Sequence, residues 1–319
     1  MSVGAEQVEV VGLEPEVART KGGKVRRLGR RDKLVLALMC GIPFLVQVAF
    51  VWFPTFSSIG LSFTSWEGIG GLSTIDWVGT RNYHQIFTIY PPFWPALRHN
   101  VVWLVFFILV PTTFGIFLAV LLDKEIRFTR FYQSSIYLPV MLSLALVGFI
   151  CQLFFSQDQG LVNGLLGNAG SKGIDWLGTP GRNLFVVMLF AAWRHAGYIM
   201  VLYLAGLKSV DPTLRDAAVV DGASEWQAFR RVIFPVMKPI NIVVLVITVI
   251  ESLRAFDIVY VVNNGKNGLE LLSVLVYDNI VGEASRIGYG SALGVILLVI
   301  ALGFIVNYLI QTFKREAWR

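Results

Sequence analysis

The sequence predicts an all-α integral membrane protein with six transmembrane helices and a cytoplasmic helix-Gly-helix loop between the fourth and fifth. Composition, run length and charge placement carry this reading. Of the 319 residues, 55% are apolar and 15% are charged, a balance too apolar for a soluble chain of this length. The apolar residues gather into six runs of about 20, the length a helix needs to cross a hydrocarbon core. The Lys and Arg residues outside those runs fall mainly on one side of the membrane, which sets the orientation.

Residues 1–33 are polar and close on the basic cluster Lys21, Lys24, Arg26, Arg27, Arg30, Arg31 and Lys33. With few apolar residues to bury, they predict a flexible cytoplasmic basic tail. Residues 34–56 form the first transmembrane helix. This run is longer than a signal-peptide core and has no small-x-small cleavage pattern, so it is read as retained. Pro43 and Pro54 are the places where it would kink. Five further spans follow: Asn100 to Leu122, Ser134 to Phe155, Leu184 to Leu207, Pro239 to Val262 and Ser291 to Phe313. The two cysteines, Cys40 and Cys151, lie inside apolar runs, which fits buried structural thiols and offers neither a disulfide framework nor a metal-binding spacing. The first long connection carries Trp66, Trp77 and Trp94 among glycines and prolines. Such tryptophans suit anchoring at a membrane interface, and contact with an outside partner is the other reading.

Six spans put both termini on one side. That side holds 19 Lys and Arg, the other side 6, and Arg194 and Arg254 lie within spans. The excess of positive charge places the termini and the 211–239 connection in the cytoplasm. The formal charge of +6 is therefore a feature of topology and does not indicate nucleic-acid binding.

The 211–239 connection carries its own helix grammar. Asp211 followed by Pro212 reads as an N-cap with proline at the first helical position, and Gly222 closes that helix. Ser224 is a second N-cap, with Gln227 placed to complete a capping box. The helix it opens presents Trp226, Phe229 and Ile233 at helical spacing and should end at Pro235. Two short helices hinged at a glycine between spans form a knob suited to another protein. Small Ala217 and Ala218 would admit a close partner, and Trp226 and Phe229 would anchor the second helix as buried aromatics. The plainer alternative is that the knob packs under the bundle.

Asp216-Ala217-Ala218, Asp221-Gly222-Ala223 and Val232-Ile233-Phe234-Pro235 together resemble the EAA loop of ATP-binding-cassette (ABC) importer permeases, whose pattern is E-A-A-x-x-D-G-A, a spacer, then I-x-L-P. Asp216, Val232 and Phe234 depart from the usual Glu, Ile and Leu but keep the charge or the apolar character. Gly206-Leu207-Lys208 and Phe256-Asp257-Ile258-Val259-Tyr260 resemble the carbohydrate branch, the maltose and glycerol-3-phosphate type. Asn263-Asn264-Gly265-Lys266-Asn267 stands where that branch usually has threonine and Gly-Gly-Pro. The resemblance runs from about Arg98 to the end, and the first span looks like the addition common in the larger permease of a heterodimeric pair.

The resemblance implies a type I ABC importer permease domain over residues 97–313, with its coupling loop at 211–239, in a bacterial or archaeal plasma membrane. It implies a second permease subunit as heterodimer partner, two ATPase subunits that bind ATP and Mg, an extracytoplasmic solute-binding protein and a sugar substrate. On that reading Asp216, Ala217, Ala218, Asp221, Gly222, Ala223, Trp226, Phe229, Val232, Ile233 and Pro235 couple to the ATPase, and this chain itself needs no cofactor. Its sequence has no G-x-x-x-x-G-K-[ST] phosphate loop, so ATP hydrolysis would belong to the partners.

Ionisable residues at membrane depth cost about 2.5 to 3.5 kcal/mol each and therefore face a cavity or a partner. Glu251 and Arg254 are spaced i, i+3 and form a candidate intramembrane ion pair; a structural role and a place in the pathway meet that cost equally. Tyr198 lies about 14 Å along the helix from Leu207, and Glu251 and Arg254 lie a similar distance or further from the inner end of the fifth span. Transporters bind substrate near that depth, and a sugar needs aromatic ring faces beside polar groups. In maltose-type permeases the equivalent parts of these spans contribute to the sugar site, so the resemblance points to Trp193, His195, Tyr198, Ser252 and Arg254 as the substrate path. For His195 a packed, hydrogen-bonded helix residue is the equal alternative.

Other classes fit poorly. The three histidines, His84, His99 and His195, form no H-E-x-x-H, and no G-x-S-x-G is present, so hydrolysis has no visible nucleophile or metal site. Neither a selectivity filter nor a voltage-sensing arginine ladder occurs. An ABC permease for a non-sugar solute would share the knob and remains the alternative within the importer reading.

Overall fold

A computed structural model describes residues 29–314 apart from 125, 169, 283 and 284. The basic tail expected over residues 1–33 lies almost entirely outside the described residues. The chain divides after Pro54 into two units, Met1–Pro54 and Thr55–Arg319, and each is described by itself.

In the first unit, α1 (Arg30–Gln47) contains Pro43 and has no buried residue. Cys40 is accordingly exposed, a correction to its expected burial, because this helix has nothing of its own unit to pack against. A π turn, Val48–Trp52, follows and leads into α2 (Phe53–Leu61). The turn stands just ahead of Pro54, whose ring would crowd the carbonyl four residues back in a regular α-helix.

The second unit continues with α3 (Arg81–Thr88), α4 (Phe93–Leu109), α5 (Pro111–Asp123), α6 (Thr129–Tyr137), α7 (Leu144–Phe155), α8 (Leu161–Leu165) and α9 (Arg182–Ser209). The knob comprises α10 (Pro212–Val220), α11 (Glu225–Ala228) and α12 (Phe234–Val236). Then come α13 (Lys238–Leu253), α14 (Asp257–Asn263), α15 (Leu272–Ile280) and α16 (Ile287–Lys314). Thr64 and Trp77 form an isolated antiparallel bridge, and the described residues contain no strand.

The six predicted spans are not six straight helices. Arg30–Leu61, Phe93–Asp123, Arg182–Ser209 and Ile287–Thr312 are each long and apolar enough to cross a membrane. Two further spans exist only if bent pairs are counted, Thr129–Met141 with Leu144–Phe155 at 97° and Glu225–Val236 with Lys238–Asn263 at 78°. The predicted span Ser134 to Phe155 breaks because Pro139 lacks an N–H and Ser143 restarts the helix as N-cap, accepting from the Leu146 N–H at 3.2 Å. The predicted span Pro239 to Val262 is interrupted between Leu253 and Asp257.

Helix α9 is the axis of the unit, about 42 Å long at 1.5 Å per residue. Its sixteen buried residues run from Asn183 to Leu207, and ten of them take part in two cores. One gathers Trp103, Phe107, Val147, Val187 and Ile258; the other gathers Ala119, Ile199, Tyr203, Ile233 and Val244 towards the knob. Gly197 makes the broken third span possible. A Cβ there would sit 2.4 Å from the Ile136 carbonyl oxygen, so no larger residue allows the two backbones to pass so closely.

Candidate functional site

The knob is built as its residues prescribe. The Asp211 carboxylate accepts from the Thr213 N–H at 2.9 Å, and this bond holds its carboxyl below the usual carboxylate range. At the far end of α10, Ala223 N–H donates to the Ala218 carbonyl at 3.0 Å, the closing bond of a glycine-terminated helix. Gly222 sits at φ 75°, a conformation glycine adopts without steric cost. Ser224 and Gln227 form the expected capping box, Gln227 N–H to Ser224 Oγ at 3.3 Å and Ser224 N–H to Gln227 Oε1 at 2.9 Å.

Beyond α11 the expected ending moves. The helix runs through a π turn, Phe229–Ile233, and past Pro235 to Val236. As ahead of Pro54, the widened turn lets a proline into a continuous helix, so Pro235 shapes the second helix without ending it.

The knob's faces also differ from expectation. Ala218 is buried, as are Ala228 and Ile233, so Ala218 permits close packing within this chain and Ala217 alone of the pair is exposed. Trp226 is 66% exposed; it stacks on half-buried Phe229 with ring centroids 5.8 Å apart and is not the buried anchor predicted. Val219 and Val220 are 69% and 86% exposed. These two valines belong to the outward surface and escaped the sequence reading, although an apolar pair at the end of a helix in a polar connection was a visible signal. Asp216, Asp221 and Gly222 are exposed beside them, and Ala223 and Val232 are half-buried.

Two charge pairs tie the knob to the end of α5. Arg215 donates to Asp123 Oδ2 at 2.6 Å and to the Leu207 carbonyl at 3.0 Å. Lys124 meets Glu225 at 2.6 Å. Adjacent residues of α5 thus hold both helices of the knob. Between α5 and the second helix of the knob lies an apolar groove of about 600 Å³ walled by Ile116, Phe117, Val120, Trp226, Phe229 and Phe234. No sequence spacing reveals these ties, because the partners stand 92 and 101 residues apart.

Of the five substrate-path residues, His195 and Tyr198 lie side by side, with ring centroids 6.4 Å apart. His195 is buried, with Nε2 3.2 Å from Thr248 Oγ1 and its ring 5.1 Å from that of Phe107. It lines a narrow cleft with Trp103, Arg194 and Glu251. Ser252 is buried and donates to the Val249 carbonyl of its own helix at 3.0 Å. Trp193 and Arg254 are exposed, and Tyr198 is half-buried.

The expected Glu251–Arg254 pair is absent from the ion pairs of the described residues. Helix α13 stops at Leu253 and leaves Arg254 as its exposed C-cap, whereas Glu251 faces the cleft that Arg194 and His195 share. Arg194 donates instead to the Leu142 carbonyl at 3.1 Å, at the break of the third span. Trp103 lines the same cleft with its indole N–H buried and without an acceptor. No cluster of potential metal ligands occurs among the described residues.

A helical bundle with long apolar helices and a capped, outward-facing knob held at one end defines the class as a multi-pass membrane protein. Residues 111–319 match the family described as binding-protein-dependent transport system inner membrane component, and the chain belongs to that family. It is 33% identical over 300 residues to the xylose/arabinose import permease protein XacH of Haloferax volcanii, covering 92% of each chain. A probable ABC transporter permease of Pyrococcus horikoshii is 30% identical over 293 residues, 90% of this chain and 99% of that one. The crystal structure of a bacterial ABC transporter involved in import of the acidic polysaccharide alginate matches with a TM-score of 0.74 at 23% identity, covering 89% of this chain and 96% of that one. That likeness bears on the fold alone.

Proposed function

We propose that this chain is the permease subunit of an ATP-driven sugar importer, and that the 211–239 knob receives the motion of a separate ATPase. The knob's construction carries the proposal. Two capped helices expose Val219, Val220 and Trp226 while Arg215 and Glu225 bind them to the end of α5. An outward apolar surface on a braced support can take force from a partner and pass it to the spans. The excess of Lys and Arg on the knob's side supports a cytoplasmic position for it and for both termini.

The proposed assembly contains a second permease, two ATPase subunits that bind ATP and Mg, and an extracytoplasmic solute-binding protein. ATP-driven closure of the ATPases draws the paired knobs together and closes the inner mouth, and the binding protein then releases solute from outside. A sugar substrate is favoured by the named activity of the xylose/arabinose relative and by the aromatic and polar residues of α9, Trp193, His195 and Tyr198. Arg254 and Ser252 stand at the end of α13 as further contacts in a state that opens the cleft.

Reconstitution of the complete complex in liposomes tests this. ATP hydrolysis should rise with a sugar-loaded binding protein, and labelled sugar should accumulate. Stimulation by amino-acid- or peptide-loaded binding proteins, with sugars inert, would replace the substrate assignment and leave the coupling assignment standing.

A further inference from the structure

A second region at the knob end carries chemistry that coupling does not use. The segment Thr129–Met141, which includes α6, lies at 97° to α7. Phe131 and Leu138 are 68% and 62% exposed along it, and Phe128, just ahead of it, is 64% exposed. Beside them a cleft of about 670 Å³ is lined by Ile126, Phe131, Gln133 and two cations, Arg130 and Lys208. Among the described residues no carboxylate lines the cleft, and neither cation joins an ion pair. Lys208 stands in the last turn of α9, and Arg130 lies seven positions past Asp123, the end of α5. Both charges therefore sit where two spans leave the hydrocarbon. Arg127 adds a third cation, its guanidinium 5.1 Å from the centre of the Phe128 ring.

We propose that this cleft binds the phosphate of an anionic phospholipid, with Arg130 and Lys208 as its cationic contacts and Phe131 and Leu138 set among the acyl chains. A helix set at a right angle to the next with aromatics beside cations is the pattern of an interfacial helix. Basic pockets at the ends of spans select anionic headgroups by charge. An acidic protein surface would satisfy the cations but would leave the exposed Phe131 and Leu138 without an apolar environment. The choice of the cytoplasmic leaflet rests on the orientation proposed above; the site itself does not.

The test uses the complete complex in nanodiscs of phosphatidylcholine containing phosphatidylglycerol as the minor lipid, with retained lipids counted by native mass spectrometry. Wild type should retain phosphatidylglycerol in preference. Arg130→Gln with Lys208→Gln should lower that preference on the order of tenfold, Arg130→Lys should keep most of it, and Arg231→Gln on the knob should leave it unchanged. An unaltered preference in the double variant would overturn the proposal. So would displacement of the lipid by inorganic phosphate, which would mark a free-phosphate site. High-yield crosslinking of Phe131→Cys to the second permease or the ATPase would mark a protein interface and overturn it likewise. Nanodiscs present both leaflets alike, and lipid retention needs no transport, so failure of the orientation or of the sugar assignment is read separately.

Discussion

Gly222 and Arg215 hold the knob by different means, and single substitutions separate them. At φ 75° Gly222 has open space around an added Cβ, so a side chain there meets backbone strain and no clash. Gly222→Val should cost the knob about 1 to 2 kcal/mol, release the ATPase and abolish uptake while circular dichroism of the bundle stays unchanged; normal uptake would refute the coupling role. Arg215 works through charge. Asp123→Asn keeps the shape and removes the ion pair of Arg215, at about 1 to 3 kcal/mol for a partly buried charged hydrogen bond. Sugar carried per ATP hydrolysed should fall several-fold with basal hydrolysis preserved, and the exchange Asp123→Arg with Arg215→Asp should recover part of it. If the ratio stays at the wild-type value, the α5 tie is structural only. The same scale distinguishes the readings of His195. If His195 is held by Thr248 and Phe107 as a packed residue, His195→Gln keeps the apparent affinity for sugar and lowers thermal stability; a raised KM with unchanged stability would make it a ligand contact. Asp211 supplies a pH effect. Its carboxyl titrates lower in the folded knob than in the unfolded chain, so its capping contribution is complete above the unfolded value and is lost as pH falls through the folded one. Protection of the Thr213 amide, taken relative to its intrinsic exchange rate at each pH, should fall in acid, and Asp211→Asn should blunt that dependence.

At the scale of elements, each departure from the sequence reading has a local chemical cause. Pro54 and Pro235 both follow a π turn by two residues, and both stay inside helices that the sequence marks for a kink or an end. The third span bends because Pro139 and Ser143 end one helix and cap the next, and the bend becomes stable where Gly197 admits the Ile136 carbonyl against α9. Gly197→Leu should therefore displace the broken segment and destabilise the bundle by several kcal/mol, as overpacking against backbone does, whereas Gly41→Leu meets open space and should be near neutral; thermal unfolding of both variants checks this. The knob was legible because caps and hinges act over three or four residues. Asp211, Gly222, Ser224 and Gln227 form the bonds their order predicts. Its faces were not legible, because the burial of Ala218 and the exposure of Trp226 depend on which way the finished helix turns towards α5.

For the whole molecule, sequence alone determined that this is a membrane chain of helices, where its apolar spans begin and end to within several residues, and that a capped pair of helices stands between the fourth and fifth. Those are properties of composition, period and local hydrogen bonding, which near neighbours in sequence settle among themselves. Only the tertiary structure decided that Glu251 shares a cleft with Arg194 and His195 and forms no ion pair with Arg254 among the described residues, and that His195 packs beside Tyr198 while Trp193 and Arg254 are exposed. It also decided that the knob is braced on α5 through Asp123 and Lys124. Each of these depends on the rotation of one helix about its axis against another, and that rotation is fixed by packing among residues 50 to 100 positions apart, at positions such as Gly197 where a single methyl group sets the approach.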